Sequence, residues 1–69
     1  MLIVLLCSCS KSQAAQWQEQ YDLGVRYLSE GNYEEAIIAF TAAIEIDPNR
    51  AEAYVRRGDA YIGYGETTE

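Results

Sequence analysis

The chain has 69 residues and a formal net charge of -6, from 11 acidic and 5 basic side chains. A chain of this length forms one small domain at most, and its acidic balance argues against binding of nucleic acid and against adsorption of the folded part to anionic lipid. Histidine is absent and there are only 2 cysteines, so a structural zinc site with four protein ligands is not expected.

The chain begins with an apolar run, Leu2 to Leu6, which is followed by Cys7, Ser8 and Cys9. The run is far shorter than the roughly 20 residues that span a bilayer, and it lacks the basic residues that precede the apolar region of an ordinary signal peptide. The segment Leu6-Cys7-Ser8-Cys9 nevertheless resembles a bacterial lipobox, in which Cys9 would receive a diacylglyceryl group and become the mature N-terminus. This resemblance predicts a truncated lipoprotein-type signal over residues 1–8, with Cys9 as the lipidation site.

A polar tether is predicted over residues 9–16, behind the lipidated cysteine. It would hold a folded module at the membrane of a bacterial cell envelope, facing the extracytoplasmic side, because acyl chains on the N-terminus provide a stable anchor. Two alternatives stay open for the N-terminal run. In the first alternative the run is an ordinary secretory signal or an uncleaved anchor. In the second it is an apolar stretch with no targeting role.

Two amphipathic helices are predicted in the first half of the remaining chain. Apolar residues recur at spacings of three and four over residues 14–30, which is typical of a helix with one buried face. Gly31 supplies a left-handed stop for this helix. Asn32 with Glu35 three residues later predicts a capping box for a second helix, which runs from Tyr33 to Ile46.

A third helix is predicted over about residues 50–64. The Asp47-Pro48 pair ends the second helix, because the residue before proline avoids the α conformation. Asn49 is the predicted cap of the third helix, which is expected to end near Gly63 or Gly65.

Features of the first helix return in the third helix 34 residues later, where Gly58 corresponds to Gly24 and Tyr61 to Tyr27. A 34-residue period of helix–turn–helix units is typical of tetratricopeptide repeats (TPRs). The sequence resembles this family over one complete repeat, residues 17–50, and over the first helix of a second, incomplete repeat, residues 51–69. The residues at signature positions of the family are Leu23, Gly24, Tyr27, Tyr33, Ala36, Phe40, Ala43 and Pro48, followed by Gly58 and Tyr61 in the second unit.

The TPR resemblance implies an all-α fold of antiparallel helix–turn–helix repeats, an α-solenoid of about one and a half units. Within it Gly24 and Ala36 would meet where the two helices of the first unit approach, and Ala43 would let the next unit dock. Trp17 would replace the large aromatic that the family has at the position of Gln20. The signature residues are expected to build the fold and to contact no ligand.

The resemblance also implies that the first helices of successive repeats line a groove, which holds an extended peptide or a helix of a partner protein. Where some members of the family grip a C-terminal carboxylate with lysine and asparagine, this chain has tyrosine, valine or aspartate, so no preference for acidic peptide tails is expected. The alternative is that the apolar groove residues pack on a neighbouring repeat. The residues at groove-facing positions are Gln18, Tyr21, Val25, Leu28, Ser29, Glu52, Val55, Asp59 and Ile62, together with Gly63.

Catalysis is not expected, because without histidine the chain offers no pair of a nucleophile and a base. Neighbouring carboxylates such as Glu34 and Glu35 point apart on a helix. We therefore predict that the chain is not an enzyme and that it binds no cofactor and no metal.

The third predicted helix lacks a partner helix, which is expected to leave five large side chains partly uncovered and to favour self-association through that helix. The predicted function is a membrane-anchored scaffold that recruits a protein partner. The alternative is an N-terminal fragment of a longer TPR protein, whose specific activity lies in further repeats or in a downstream domain. The five side chains are Tyr54, Val55, Tyr61, Ile62 and Tyr64.

Overall fold

The computed structural model describes residues 11–67, which form three α-helices and, within that range, no β-strand. The helices are α1 (Gln13–Ser29), α2 (Tyr33–Ile46) and α3 (Ala51–Thr67). α2 packs against both α1 and α3, whereas α1 and α3 touch each other little. The predicted all-α fold of about one and a half helix–turn–helix units is confirmed. The predicted lipidation site, Cys9, lies outside the described residues.

α1 begins earlier than the sequence suggested. The Ser12 side chain accepts a hydrogen bond from the backbone N–H of Ala15 at 3.0 Å, which caps the first turn. The Gln13 side chain donates to the Ile46 carbonyl, so the first residue of α1 is tied to the last residue of α2. Gln13, predicted only as part of the tether, therefore belongs to the helix, as do residues 14–16, which the tether and the predicted first helix shared.

The turn between α1 and α2 is set by Gly31, whose φ of 79° is in the left-handed region. The backbone N–H of Asn32 then donates to the Tyr27 carbonyl at 2.9 Å, which satisfies an acceptor at the end of α1. The bounds predicted for the second helix agree with α2. The capping box is wrong, because the Asn32 side chain makes no capping bond and its amide donates to Glu30 instead.

α3 differs from its prediction at both ends. The turn before it is closed by the Asp47 carboxylate, which accepts from the backbone N–H of Asn49 at 3.1 Å. Asn49 thus lies in the turn and not next to the helix, which begins at Ala51. The predicted stop at Gly63 or Gly65 is also wrong. Gly31 is the only glycine with a positive φ in the described part of the chain, and α3 continues through both later glycines to Thr67.

The core consists of two small clusters in which alanines allow the helices to approach closely. One cluster joins Trp17 of α1, Ala43 of α2 and Ala53 of α3. As expected, Ala43 lies where the second unit docks. The other cluster joins Ala36, Phe40 and Ala60.

Two aromatic rings of α2 lie directly on glycine backbone of the neighbouring helices. A Cβ atom at Gly24 of α1 would lie 2.6–2.8 Å from three atoms of the Phe40 ring, and a Cβ at Gly63 of α3 would overlap the Tyr33 ring. Gly24 therefore faces Phe40, which shares a core cluster with Ala36. Gly63, predicted to face a groove, instead receives a ring of α2.

Candidate functional site

A cleft with a volume of about 420 Å³ opens between α1 and α3. It exists because α2 holds both helices while they barely touch each other. Tyr21 lines it from α1, and Ala51, Glu52, Val55 and Arg56 line it from α3. These five residues define the α1–α3 cleft, which lies between the first helices of the two units.

The aromatic wall of the α1–α3 cleft is fixed by the core. The Tyr21 ring stacks on the Trp17 ring with a centroid distance of 4.7 Å, and it meets the Phe40 ring edge-on at 5.8 Å. Tyr21 packs against both core clusters. Trp17 is only 2% exposed, and the Arg50 guanidinium lies 3.8 Å from its ring centroid. Because the wall is held on both sides, a ligand would meet a preformed surface.

Arg56 brings a positive charge to the cleft. Its Nε donates to the Tyr21 hydroxyl at 3.4 Å, and its Nη1 lies 3.7 Å from a carboxylate oxygen of Asp59. The hydrogen bond to Tyr21 raises the pKa of the Arg56 guanidinium above its ordinary value, and an arginine is charged at accessible pH in any case. Both side chains of the ion pair are about half exposed, so the pair orients Arg56 while contributing little to stability.

Three predicted groove residues, Tyr21, Glu52 and Val55, come together in the α1–α3 cleft. Leu28 is half-buried and packs against the core cluster of Phe40, and the Ser29 hydroxyl donates to a carbonyl of its own helix. Neither of these two residues lines the α1–α3 cleft. The remaining predicted residues are exposed on α1 or α3, outside the cleft lining: Gln18, Val25, Asp59 and Ile62.

Sequence reasoning missed Ala51 and Arg56. Arg56 lies four residues after Glu52, and residues at this spacing share one side of a helix. The spacing could therefore have included Arg56, although its hydrogen bond to Tyr21 depends on how α1 and α3 are placed. Ala51 gave no such signal, because a small apolar side chain carries no chemistry that would single it out.

Two other concave surfaces lie on the far side of α1. A cleft of about 160 Å³ between α1 and α2 contains none of the predicted groove residues. A concave surface of about 440 Å³ is lined by residues of α1 alone, so it is an open helix side and not a groove between elements. The residues of the α1–α2 cleft are Gln20, Leu23, Tyr27, Glu35, Ile38 and Ala39.

Residues 11–67 show neither a metal-binding cluster nor a membrane-spanning helix. No group of three His, Cys, Asp or Glu side chains in this range could hold a metal ion. None of the three described helices is both long enough and apolar enough to cross a membrane. The absence of a cofactor and of catalysis stays a prediction.

A family model described as the TPR repeat matches residues 24–65, which is more than half of the chain. The chain belongs to the TPR repeat family. TPR repeats are typically scaffold modules without catalytic activity that mediate contacts between proteins, and membership indicates a protein–protein interaction module. The matched residues contain all of α2 and the α3 side of the α1–α3 cleft. No curated protein and no solved structure matches this TPR chain.

Proposed function

We propose that the chain is an adaptor that holds an extended or helical segment of a partner protein in the α1–α3 cleft. The observation that carries this proposal is the cleft itself, because it combines a preformed aromatic wall with polar groups at its rim. It also lies between the first helices of two TPR units, which is where the family resemblance implies a groove.

The chemistry of the cleft favours a segment with apolar side chains. Val55 is 63% exposed and lines the cleft together with Tyr21. Burial of one such side chain contributes about 1.5–3 kcal/mol. Glu52 and Arg56 place one charge of each sign at the rim, where they can orient the polar backbone of a peptide. This pairing gives an acidic tail no advantage, and the lack of preference for acidic tails stays a prediction.

The test is to select peptides from a displayed library on the full chain under reducing conditions, and then to measure the affinity of the selected peptide. Trp17 is the only tryptophan and stacks on Tyr21, so its fluorescence reports directly on the cleft wall. We expect Val55→Asp to weaken binding at least about 10-fold, since this corresponds to about 1.4 kcal/mol.

Ile38→Asp is the matched control for Val55→Asp. Ile38 is 66% exposed and lines the α1–α2 cleft, so the same chemical change is made on another surface. This variant is expected to bind the peptide as tightly as the unmodified chain. Equal losses in the two variants, or no selectable peptide, would refute binding in the α1–α3 cleft.

We further propose that lipidated Cys9 anchors the adaptor to a membrane of the bacterial cell envelope, on its extracytoplasmic side. The support is the lipobox-like segment Leu6-Cys7-Ser8-Cys9. α1 begins at Gln13, so four residue steps separate Cys9 from the helix. A fully extended chain covers about 14 Å in four steps. The module would therefore sit close to the membrane surface.

Two cysteine variants test this anchor when the full chain is produced in a bacterium that processes lipoproteins. The unmodified chain and Cys7→Ser are expected to carry diacylglycerol by mass spectrometry and to sediment with membranes. Cys9→Ser is expected to do neither. A lipidated Cys9→Ser product, or an unmodified chain without lipid, would contradict the assignment and leave the cleft proposal untouched.

A further inference from the structure

The outward side of α3 carries an apolar stripe in which large residues lie at equal distances on both sides of Gly58, although the residue types at those positions differ. Val55 and Tyr61 lie three residues before and after it, and Tyr54 and Ile62 lie four residues before and after it. Residues at these spacings share one face of a helix with the central residue. The four large side chains are 42–64% exposed, and none of the five positions is charged. These five residues define the α3 stripe.

Gly58 at the centre of the stripe differs from Gly24 and Gly63, on which aromatic rings rest. The Phe40 ring covers Gly24 and the Tyr33 ring covers Gly63, whereas a Cβ atom at Gly58 would meet nothing within 4 Å. Gly58 lies 34 residues after Gly24, so it repeats a position at which another helix approaches closely. A neighbour could therefore approach the α3 backbone at Gly58 without displacing any side chain.

We propose that the α3 stripe docks on the same stripe of a second copy of the chain, with the two helices antiparallel and a two-fold axis at Gly58. A two-fold contact requires a surface that is complementary to itself. A stripe with large residues at equal distances on both sides of a glycine meets this requirement, because rotation about the glycine brings large residues together on both sides.

The pairing can be specified from the helical positions. Tyr54 and Tyr61 lie on one side of Gly58, and Val55 and Ile62 lie on the other, since residues seven apart occupy nearly the same angle on a helix. In the antiparallel pair, Tyr54 lies beside Tyr61 of the second copy, and Val55 lies beside Ile62 of the second copy. The two glycines then cross at the axis, where the helices can approach most closely.

The exposed area limits the strength of this pair. Aromatic side chains present about 150–250 Å² each, so from the exposed fractions the four large residues contribute on the order of 400 Å² per copy. The total of about 800 Å² lies below the roughly 1,200–2,000 Å² of stable interfaces. The expected dimer is therefore weak and depends on concentration. Its two copies are acidic, so it should strengthen when salt screens their repulsion.

The dimer does not rest on the proposed peptide site. Tyr21 and Glu52 belong to the α1–α3 cleft and not to the stripe, while Gly58 and Tyr61 belong to the stripe and not to the cleft. Val55 is common to both, so it is not used as the test position.

The test measures the mass of the full chain by sedimentation over a wide concentration range, with reductant present. The unmodified chain is expected to shift from one copy towards two as its concentration rises, and more so in added salt. Gly58→Glu places two like charges at the axis and is expected to weaken the dimer at least 10-fold. Glutamate favours a helix more than glycine does, so the helicity of this variant at low concentration should not fall.

Ala14→Glu makes the same change of charge at an exposed position of α1 and is expected to dimerise like the unmodified chain. The proposal is overturned by a single copy at every concentration, by association that Gly58→Glu leaves unchanged, or by association that salt weakens. A mass that grows beyond two copies would also overturn it, because a closed two-fold contact stops at the dimer.

Discussion

Replacement of Phe40 by alanine is expected to unfold most of the chain at 25 °C. The Phe40 ring is fully buried, covers the backbone of Gly24 and shares a core cluster with Ala36 and Ala60. Loss of a buried phenylalanine costs about 3–5 kcal/mol. Folded domains have total stabilities of about 5–15 kcal/mol, and domains of this size lie at the low end. Circular dichroism at 222 nm during thermal unfolding measures the effect.

Ile38→Ala is the matched control for Phe40→Ala, since Ile38 lies two residues earlier on the same helix but is 66% exposed. Its effect should stay within about 0.5 kcal/mol, as for other surface substitutions. In a domain of this size 1 kcal/mol moves Tm by roughly 4–8 °C. A cooperative Phe40→Ala transition within about 5 °C of the unmodified chain would show that the core does not depend on this ring.

The sequence was most informative where structure is determined locally. The bounds of α2 follow from Gly31, which needs a positive φ, and from the Asp47-Pro48 pair, which cannot continue a helix. Glycine was misleading at the end of α3. It commonly ends a helix, but here tertiary packing keeps it inside one. Gly63 is required inside the helix so that the Tyr33 ring can lie on it, and this contact joins residues that are 30 positions apart in the sequence.

The candidate site was predictable to the extent that it depends on helix faces. The TPR resemblance implied groove-facing positions for Tyr21, Glu52 and Val55, and these three residues line the cleft. Helical positions could not show that Leu28 turns into the core, because this depends on where α2 places Phe40. They also could not show that Arg56 reaches the Tyr21 hydroxyl, because the spacing of α1 and α3 is set by α2, which packs between them.

The repeat pattern correctly predicted which large side chains of α3 are exposed. The sequence predicted that five large side chains of this helix would lose one covering surface. The structure confirms it, with exposed fractions from 39% to 64%. Arg57, which occupies the place of Leu23 in the second unit, is half-buried and donates to the Thr41 hydroxyl at 3.2 Å. Its polar end therefore has a partner in a partly buried position.

The same substitution at the two repeat-related glycines is expected to have opposite effects on stability. Gly24→Leu must push the Phe40 ring out of its place, because the first added carbon would already lie 2.6 Å from it. Overpacking of a closed core typically costs about 1–3 kcal/mol, and the four added carbons place this change near the upper end. Leucine favours a helix over glycine by up to about 1 kcal/mol, so a net loss of about 2 kcal/mol is expected.

Gly58→Leu has the same gain in helix propensity without the cost, because nothing lies within 4 Å of the added Cβ. It should raise the free energy of unfolding by somewhat less than 1 kcal/mol, measured by urea unfolding at concentrations where the chain is a single copy. The comparison separates the cost of overpacking from the gain in helix propensity, since both substitutions are made in helices and in the same repeat position. Equal effects at the two glycines would mean that the Phe40 ring yields to a side chain at Gly24, and that close approach at this position is not what holds α2 on α1.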